Sequence, residues 1–199
     1  MLRQDYLRLL VLLAVQKRRV LKQGDCKNAF CQPTLLDDEM VIITPPPGCP
    51  VSPPGTYWNL RKTLYGLRRS PCHWYNNLRG HLLDMGFKQC KHDPRIFIGI
   101  HPDFPTALIY VGCYVDDFVY FSTNATIKKW FKTGLAERVK VDFMGPVSWF
   151  LGIYFEWTVT PIHVCLLVTC LRKALTQNSS SNTDSQTATL LQHLTDTGL

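Results

Sequence analysis

Apolar residues open the chain at the spacing of one helical face. Leu7, Leu10, Val11, Ala14 and Val15 recur at i, i+3, i+4, i+7 and i+8, and Leu9, Leu12 and Leu13 widen the stripe. This pattern predicts a helix over residues 5–20 that packs on most sides. A strand is expected at Val20–Gln23, followed by the compact segment Gly24-Asp25-Cys26-Lys27-Asn28-Ala29-Phe30. Leu78, Leu82, Leu83 and Met85 predict a second helix over Asn76–Gly86, with Gly86 as its C-cap. Phe97–Ile100 reads as a strand. The run ALIYVGCYVDDFVYFS, Ala107 to Ser122, is rich in β-branched and aromatic residues and predicts two strands meeting at its only charges, Asp116 and Asp117. Ile127–Val139 reads as a further helix and Val147–Trp157 as a strand pair or ribbon.

Two stretches break the pattern. Pro45 to Gly55 holds six of the 13 prolines, which rules out regular helix or a central strand and predicts an extended surface connection. Its PxxP spacing also suits an SH3-like partner, a reading far weaker than that of a rigid loop. After Thr176 the chain becomes polar and low in complexity, which predicts a mobile tail with at most one weak helical turn. No internal repeat is visible.

Composition narrows the partners. The 199 residues carry 22 Lys+Arg against 15 Asp+Glu, a net charge of +7. That surplus favours a polyanion, nucleic acid first and an anionic membrane surface second. The eight cysteines, Cys26, Cys31, Cys49, Cys72, Cys90, Cys113, Cys165 and Cys170, form no CxxC pair, and several lie in apolar runs as small hydrophobes. Neither Cys90 with His92 nor Cys165 with Cys170 completes a zinc spacing. The apolar stretch Leu7–Val15 is interrupted by Arg8 and lacks a cleavage site, and no run is long enough to span a bilayer. A reduced, intracellular protein is the expectation.

Adjacent aspartates inside an apolar hairpin need an explanation, because carboxylates taken from water are costly unless something positive pairs with them. One reading is an exposed turn, although Asp-Asp lacks the glycine that two-residue hairpins favour. The other is a divalent-metal site, since hard oxygen ligands suit Mg²⁺. Asp25, 91 residues upstream of Asp116 and just before a turn-like stretch, is by itself compatible with a cap or turn residue.

Five blocks occur in order: Asp25-Cys26-Lys27-Asn28-Ala29-Phe30; Pro45-Pro46-Pro47-Gly48; Leu64-Tyr65-Gly66-Leu67-Arg68-Arg69-Ser70-Pro71 with Trp74-Tyr75; Tyr114-Val115-Asp116-Asp117; and Phe150-Leu151-Gly152. Together they resemble the reverse transcriptase of Ty1/copia-type retrotransposon polyproteins, over roughly Tyr6 to Trp157. The resemblance implies an α+β fold, a polymerase palm in which helices back an antiparallel sheet, with only part of the fingers and no complete thumb. Residues 1–160 would form this palm-centred domain, and 161–199 a divergent segment, largely disordered from about 176.

By the same resemblance Asp25 and Asp116 bridge two Mg²⁺ ions, for which Mn²⁺ is a possible substitute. Asp117 neighbours them in the hairpin turn, and the Cys26 carbonyl offers a further ligand oxygen. One ion would lower the pKa of a primer 3′-hydroxyl, and the other would hold the triphosphate and stabilise leaving pyrophosphate. Phe30 corresponds to the bulky residue that excludes a ribose 2′-hydroxyl. Tyr65, Gly66, Arg68, Arg69, Ser70 and Pro71 correspond to the block beneath nucleotide and template, and Phe150, Leu151 and Gly152 to the primer grip. The implied partners are an RNA template, a DNA or RNA primer, deoxynucleoside triphosphates and the rest of a Pol polyprotein, with integrase and RNase H. The implied location is cytoplasmic, within retrotransposon particles, with no membrane.

The sequence departs from the family pattern in places. A single helix precedes Asp25, where the family carries a basic fingers segment, and the thumb, connection and RNase H portions are not in the chain. Cys72 stands where arginine is common, and Gln32-Pro33-Thr34 replaces a frequent Asn-Gly turn. These departures point to a piece of a longer polyprotein and keep a non-catalytic, nucleic-acid-binding remnant as the alternative. A metal-dependent nuclease or phosphatase would leave the other blocks unexplained.

Overall fold

Leu7, Leu10, Val11 and Ala14 form the buried stripe of helix α1 (Gln4–Gln16), as the periodicity predicts. The structure, a computed structural model, describes residues 2–36, 38–50, 53, 55–159 and 164–170. The helix ends four residues earlier than expected. Arg18 adopts φ 54°, its N–H reaches the Val15 carbonyl at 2.8 Å, and the Arg19 N–H reaches that of Ala14 at 2.8 Å. This is a Schellman closure with arginine in the place glycine usually takes, so composition gave no stop signal.

Strand β1 (Lys22–Cys26) lies later than the expected Val20–Gln23 and continues through Gly24, where its register to β8 shifts between Lys22 and Gly24. A Cβ at Gly24 would lie 2.2 Å from the ring of Phe118, so the glycine is there for close packing rather than as a break. A single 3-10 turn, Ala29–Cys31, follows. Short strands β2 (Ile42–Ile43) and β3 (Trp58–Asn59) pair antiparallel and flank the proline-rich connection.

Helix α2 spans Ser70–Asp84 and starts six residues before the expected Asn76. Pro71 sits in its first turn, where a missing N–H is harmless, and Trp74, Leu78 and Leu82 continue the buried stripe. Gly86 closes it at φ 85° as anticipated. Then come β4 (Phe87–Gln89), β5 (Ile96–His101), β6 (Phe104–Tyr114), β7 (Asp117–Ser122), α3 (Ala125–Ala136) and β8 (Val141–Pro146). The final strands are β9 (Trp149–Phe150), β10 (Ile153–Val159) and β11 (Val164–Cys170).

Six strands form one antiparallel sheet in the order β4-β5-β6-β7-β1-β8, and β11-β10-β9 form a second, smaller one. The chain is therefore α+β with a mainly antiparallel sheet. The alternation of β7 divides its core. Phe118 and Tyr120 face α2 and α3 with Trp74, Leu78, Ile127 and Phe131, whereas Val119 and Phe121 face α1 with Leu7, Leu10, Phe150 and Ile153. Gly112 lets α1 approach β6, because a Cβ there would come within 2.6 Å of Leu10. Among the described residues no helix is long and apolar enough to cross a membrane. Cys26, Cys31, Cys49, Cys72, Cys90 and Cys113 are free thiols. The polar tail expected after Thr176 lies outside the described residues.

Candidate active site

The β6–β7 hairpin brings the aspartates to the end of the sheet. Tyr114 and Asp117 are its last cross-strand pair, which leaves Val115 and Asp116 as a two-residue turn. Asp117 is thus the first residue of β7, which corrects the expectation that places it in the turn. Val115 adopts φ 57°, a region that a β-branched residue enters only under strain. Two bonds from outside the hairpin fix it there. The buried Trp74 indole donates to the Val115 carbonyl at 2.7 Å, and the Cys26 N–H donates to the Asp116 carbonyl at 2.8 Å.

Across the sheet, Asp117 of β7 pairs with Asp25 of β1, and Asp25 pairs with Asp142 of β8. Directly opposed residues share a face, so three carboxylates form a row across three strands. Burial raises the pKa of Asp25, and the charges of Asp116 and Asp142 raise it further, with only Lys27 opposing. Burial also raises that of Asp117. A hydrogen bond from Gln23, 3.5 Å away, lowers it in part, and Asp116 and Asp25 add like charge. Lys27 Nζ sits 2.7 Å from Asp142 Oδ2 and is the cation of this row. Asp142 escaped the sequence reading; its one signal is its place between Val141 and Phe143, both packed toward the helices.

These hard oxygen donors, short of positive charge, match the chemistry of a divalent cation. Among the described residues no three His, Cys, Asp or Glu side chains converge as a metal cluster. That is compatible with Mg²⁺, which commonly takes one or two carboxylates and completes its shell with water and substrate phosphates. Beside the row, Cys26 points into the helix-backed core, where burial pushes its thiol well above the ordinary range; the neighbouring Cys113 is pushed up to about 12. Neither thiol is a nucleophile in this setting.

Phe30 and Tyr65 meet with ring centroids 4.9 Å apart. The Tyr65 hydroxyl is pushed up first by burial, then by the charge of Asp116, with Cys31 and Asp25 contributing and the Phe30 backbone opposing. The Thr63 hydroxyl donates to the Phe30 carbonyl. Gly66, at φ 93°, turns the chain, and the buried Ser70 hydroxyl donates to the Leu64 carbonyl at 2.6 Å, locking residues 64–71 onto the start of α2. Arg68 is exposed. Arg69 is engaged instead: its guanidinium lies 2.6 Å from Glu39 Oε1, and His73 Nε2 lies 2.8 Å from Glu39 Oε2. The expected contact of Arg69 with template therefore competes with an ion pair.

Leu151 and Gly152 form the turn of the β9–β10 ribbon, with Phe150 paired to Ile153. Phe150 is buried on the face that bears Asp25 and Asp117. The ribbon is rooted at the Leu21 end of β1, where the Val147 N–H donates to the Leu21 carbonyl at 2.9 Å, and not at the Asp25 end.

Comparison with known proteins adds identity to this geometry. The family described as reverse transcriptase (RNA-dependent DNA polymerase) matches residues 1–190, further than the Trp157 limit read from the sequence. The retrovirus-related Pol polyproteins from transposons RE1 and RE2 of Arabidopsis thaliana are 32% and 31% identical to it over 159 residues, 79% of this chain. The Ty1-MR1 Gag-Pol polyprotein of Saccharomyces cerevisiae is 27% identical over 117 residues, 59% of the chain. The matched region covers 10%, 11% and 6% of these relatives, so the chain spans about a tenth of their length or less.

Proposed function

The chain belongs to the reverse transcriptase (RNA-dependent DNA polymerase) family, of the kind carried by Ty1/copia retrotransposon polyproteins, and from this premise we propose that it is the palm of an RNA-directed DNA polymerase. Residues 1–160 are the palm-centred domain with part of the fingers, working inside a longer Pol polyprotein alongside integrase and RNase H. Its substrates are an RNA template, a primer and deoxynucleoside triphosphates.

What supports this reading above all is that Asp25 and the Asp116–Asp117 hairpin, 91 residues apart, are tied together by β1–β7 pairing and by the Cys26–Asp116 backbone bond. Asp25 and Asp116, with the Cys26 carbonyl, would hold two Mg²⁺ ions, or Mn²⁺ in their place, and Asp117 supports them from β7. Bound metal supplies activation of the primer hydroxyl and charge neutralisation at the triphosphate. Phe30, backed by Tyr65, presents a ring to the sugar and excludes a 2′-hydroxyl. The 65–71 turn, with Gly66, Arg68, Arg69, Ser70 and Pro71, supports nucleotide and template, and Phe150-Leu151-Gly152 positions the primer end.

Primer extension on an RNA template with Mg²⁺ and deoxynucleotides tests this, using the chain alone and the chain extended upstream into its polyprotein. Extension by the longer protein, lowered by Asp116→Asn at least about 10²–10³-fold, is expected, the scale for losing one preorganised electrostatic group. An unchanged rate in Asp116→Asn would make the carboxylate assignment wrong.

A further inference from the structure

A second charged feature lies at the other end of β1. Arg18, Arg19, Lys22 and Lys128 line a cleft of about 240 Å³ beside Tyr120 and Ser122, and no Asp or Glu lines it. Lys22 lies three positions before Asp25, about 10 Å along the strand. Their side chains point to opposite faces, Lys22 with Gly24 and Cys26 toward α3, Asp25 with Gln23 away from it.

The cleft is held in place by its own backbone. The Schellman closure fixes Arg18 in its left-handed conformation, and the Arg19 guanidinium donates to the Thr123 carbonyl at 2.7 Å, which ties it to the β7–α3 connection. Among the described residues none of the four cations forms an ion pair with a carboxylate. Burial lowers the pKa of Lys22, and the like charges of Lys128 and Lys132 lower it further. Folding has thus gathered ammonium and guanidinium groups without internal counter-charge, which costs free energy unless an anion arrives. No large exposed apolar side chain lines the cleft, as insertion into a lipid surface would require.

We propose that this cleft binds the phosphodiester backbone of a nucleic-acid strand, as a contact separate from the carboxylate row. The polymerase reading enters only in saying which strand is at hand; attraction to phosphodiester groups follows from the cleft itself.

Fluorescence anisotropy of the full chain with a labelled single-stranded RNA, read across a salt series, tests it. The Lys22→Gln/Lys128→Gln double variant should bind on the order of tenfold more weakly at about 0.1 M salt, with the slope of log K against log salt shallower by about 1.4, two charges at about 0.7 each. Arg18→Gly removes a charge where the backbone already favours glycine, so the fold is not at risk, and should lower the slope by about 0.7. In the Asp116→Asn background, which removes polymerase activity, the cleft variants should still lower the slope by the same amounts, so loss of polymerase activity and loss of this contact are separable. Unchanged slopes in both cleft variants would overturn the proposal. So would displacement of the RNA by micromolar inorganic phosphate, which would assign the cleft to a small free anion. Equal loss of binding to phosphatidylserine vesicles would assign it to a membrane and overturn it as well.

Discussion

Two of the tight hairpins among the described residues have turns built in different ways. In the β9–β10 ribbon, Leu151 and Gly152 take φ values of 51° and 76°, the two positive values of a type I′ turn, with glycine second. Glycine fills the second position as this turn type favours, and at the first position Leu151, which is not β-branched, enters the left-handed region at a smaller cost than valine would. In the β6–β7 hairpin only Val115 is positive, at 57°, and no glycine is present. A type II′ pattern wants glycine at that first position, so valine there stores strain of about 1–3 kcal/mol. Two hydrogen bonds from α2 and β1 hold it. The ribbon's turn has a glycine where its type favours one, whereas the aspartate turn has none and is held by the surrounding fold, and Asp116 is thereby fixed relative to Asp25.

Breaking the support should therefore cost more than breaking the other turn. Trp74→Ala removes a fully buried ring and the indole donor, and should destabilise the chain by about 3–5 kcal/mol in urea unfolding. Trp74→Phe keeps most of the packing but leaves the Val115 carbonyl without its donor, an expected loss of about 1–3 kcal/mol. If the Phe variant were neutral, the turn would not depend on α2. In the ribbon, Gly152→Val places a β-branched residue at φ 76° and makes that turn resemble the strained one without its supports. A loss of about 1–2 kcal/mol is expected by the same measurement. A neutral result would show that the ribbon turn, too, is held from outside.

This contrast also explains what could be read from sequence. Elements with a local signature were visible: the α1 stripe, the Gly86 cap, the strand pair within Val147–Trp157 and the hairpin around Asp116–Asp117. What escaped depends on partners distant in sequence. Gly24 looked like a break because Phe118, whose ring fills its missing side chain, is 94 residues away. The early stop of α1 is the exception, a local closure that escaped because it uses an arginine where the rule expects glycine. At the site, Asp25 and Asp116 came from family blocks. Asp142 carries no such mark and joins the row only through the register of β8 on β1. Trp74 was visible as part of a block, but its hold on the Val115 carbonyl needed the tertiary fold.

The smallest expected effect comes from the charge that the imposed turn concentrates. Asp117 has its carboxyl raised above the ordinary range, by burial first and then by Asp116 and Asp25 against the Gln23 hydrogen bond. A carboxyl with a higher pKa folded than unfolded binds its proton more tightly in the native state. Its stabilising contribution is fully present below the unfolded value of 3.8 and is lost as pH rises through the folded one. At neutral pH the ionised group is therefore a net cost to folding. Asp117→Asn keeps an oxygen for Gln23 and removes that charge. It should stabilise the chain at pH 7, by less than about 1 kcal/mol because the group is partly exposed to solvent. The advantage should vanish below the unfolded value, where wild-type Asp117 is protonated in both states. Urea midpoints for the two proteins at pH 7 and at a pH below that value would decide it. A gain of equal size at both would mean that packing, and not the crowding of carboxylates at the imposed turn, sets the difference.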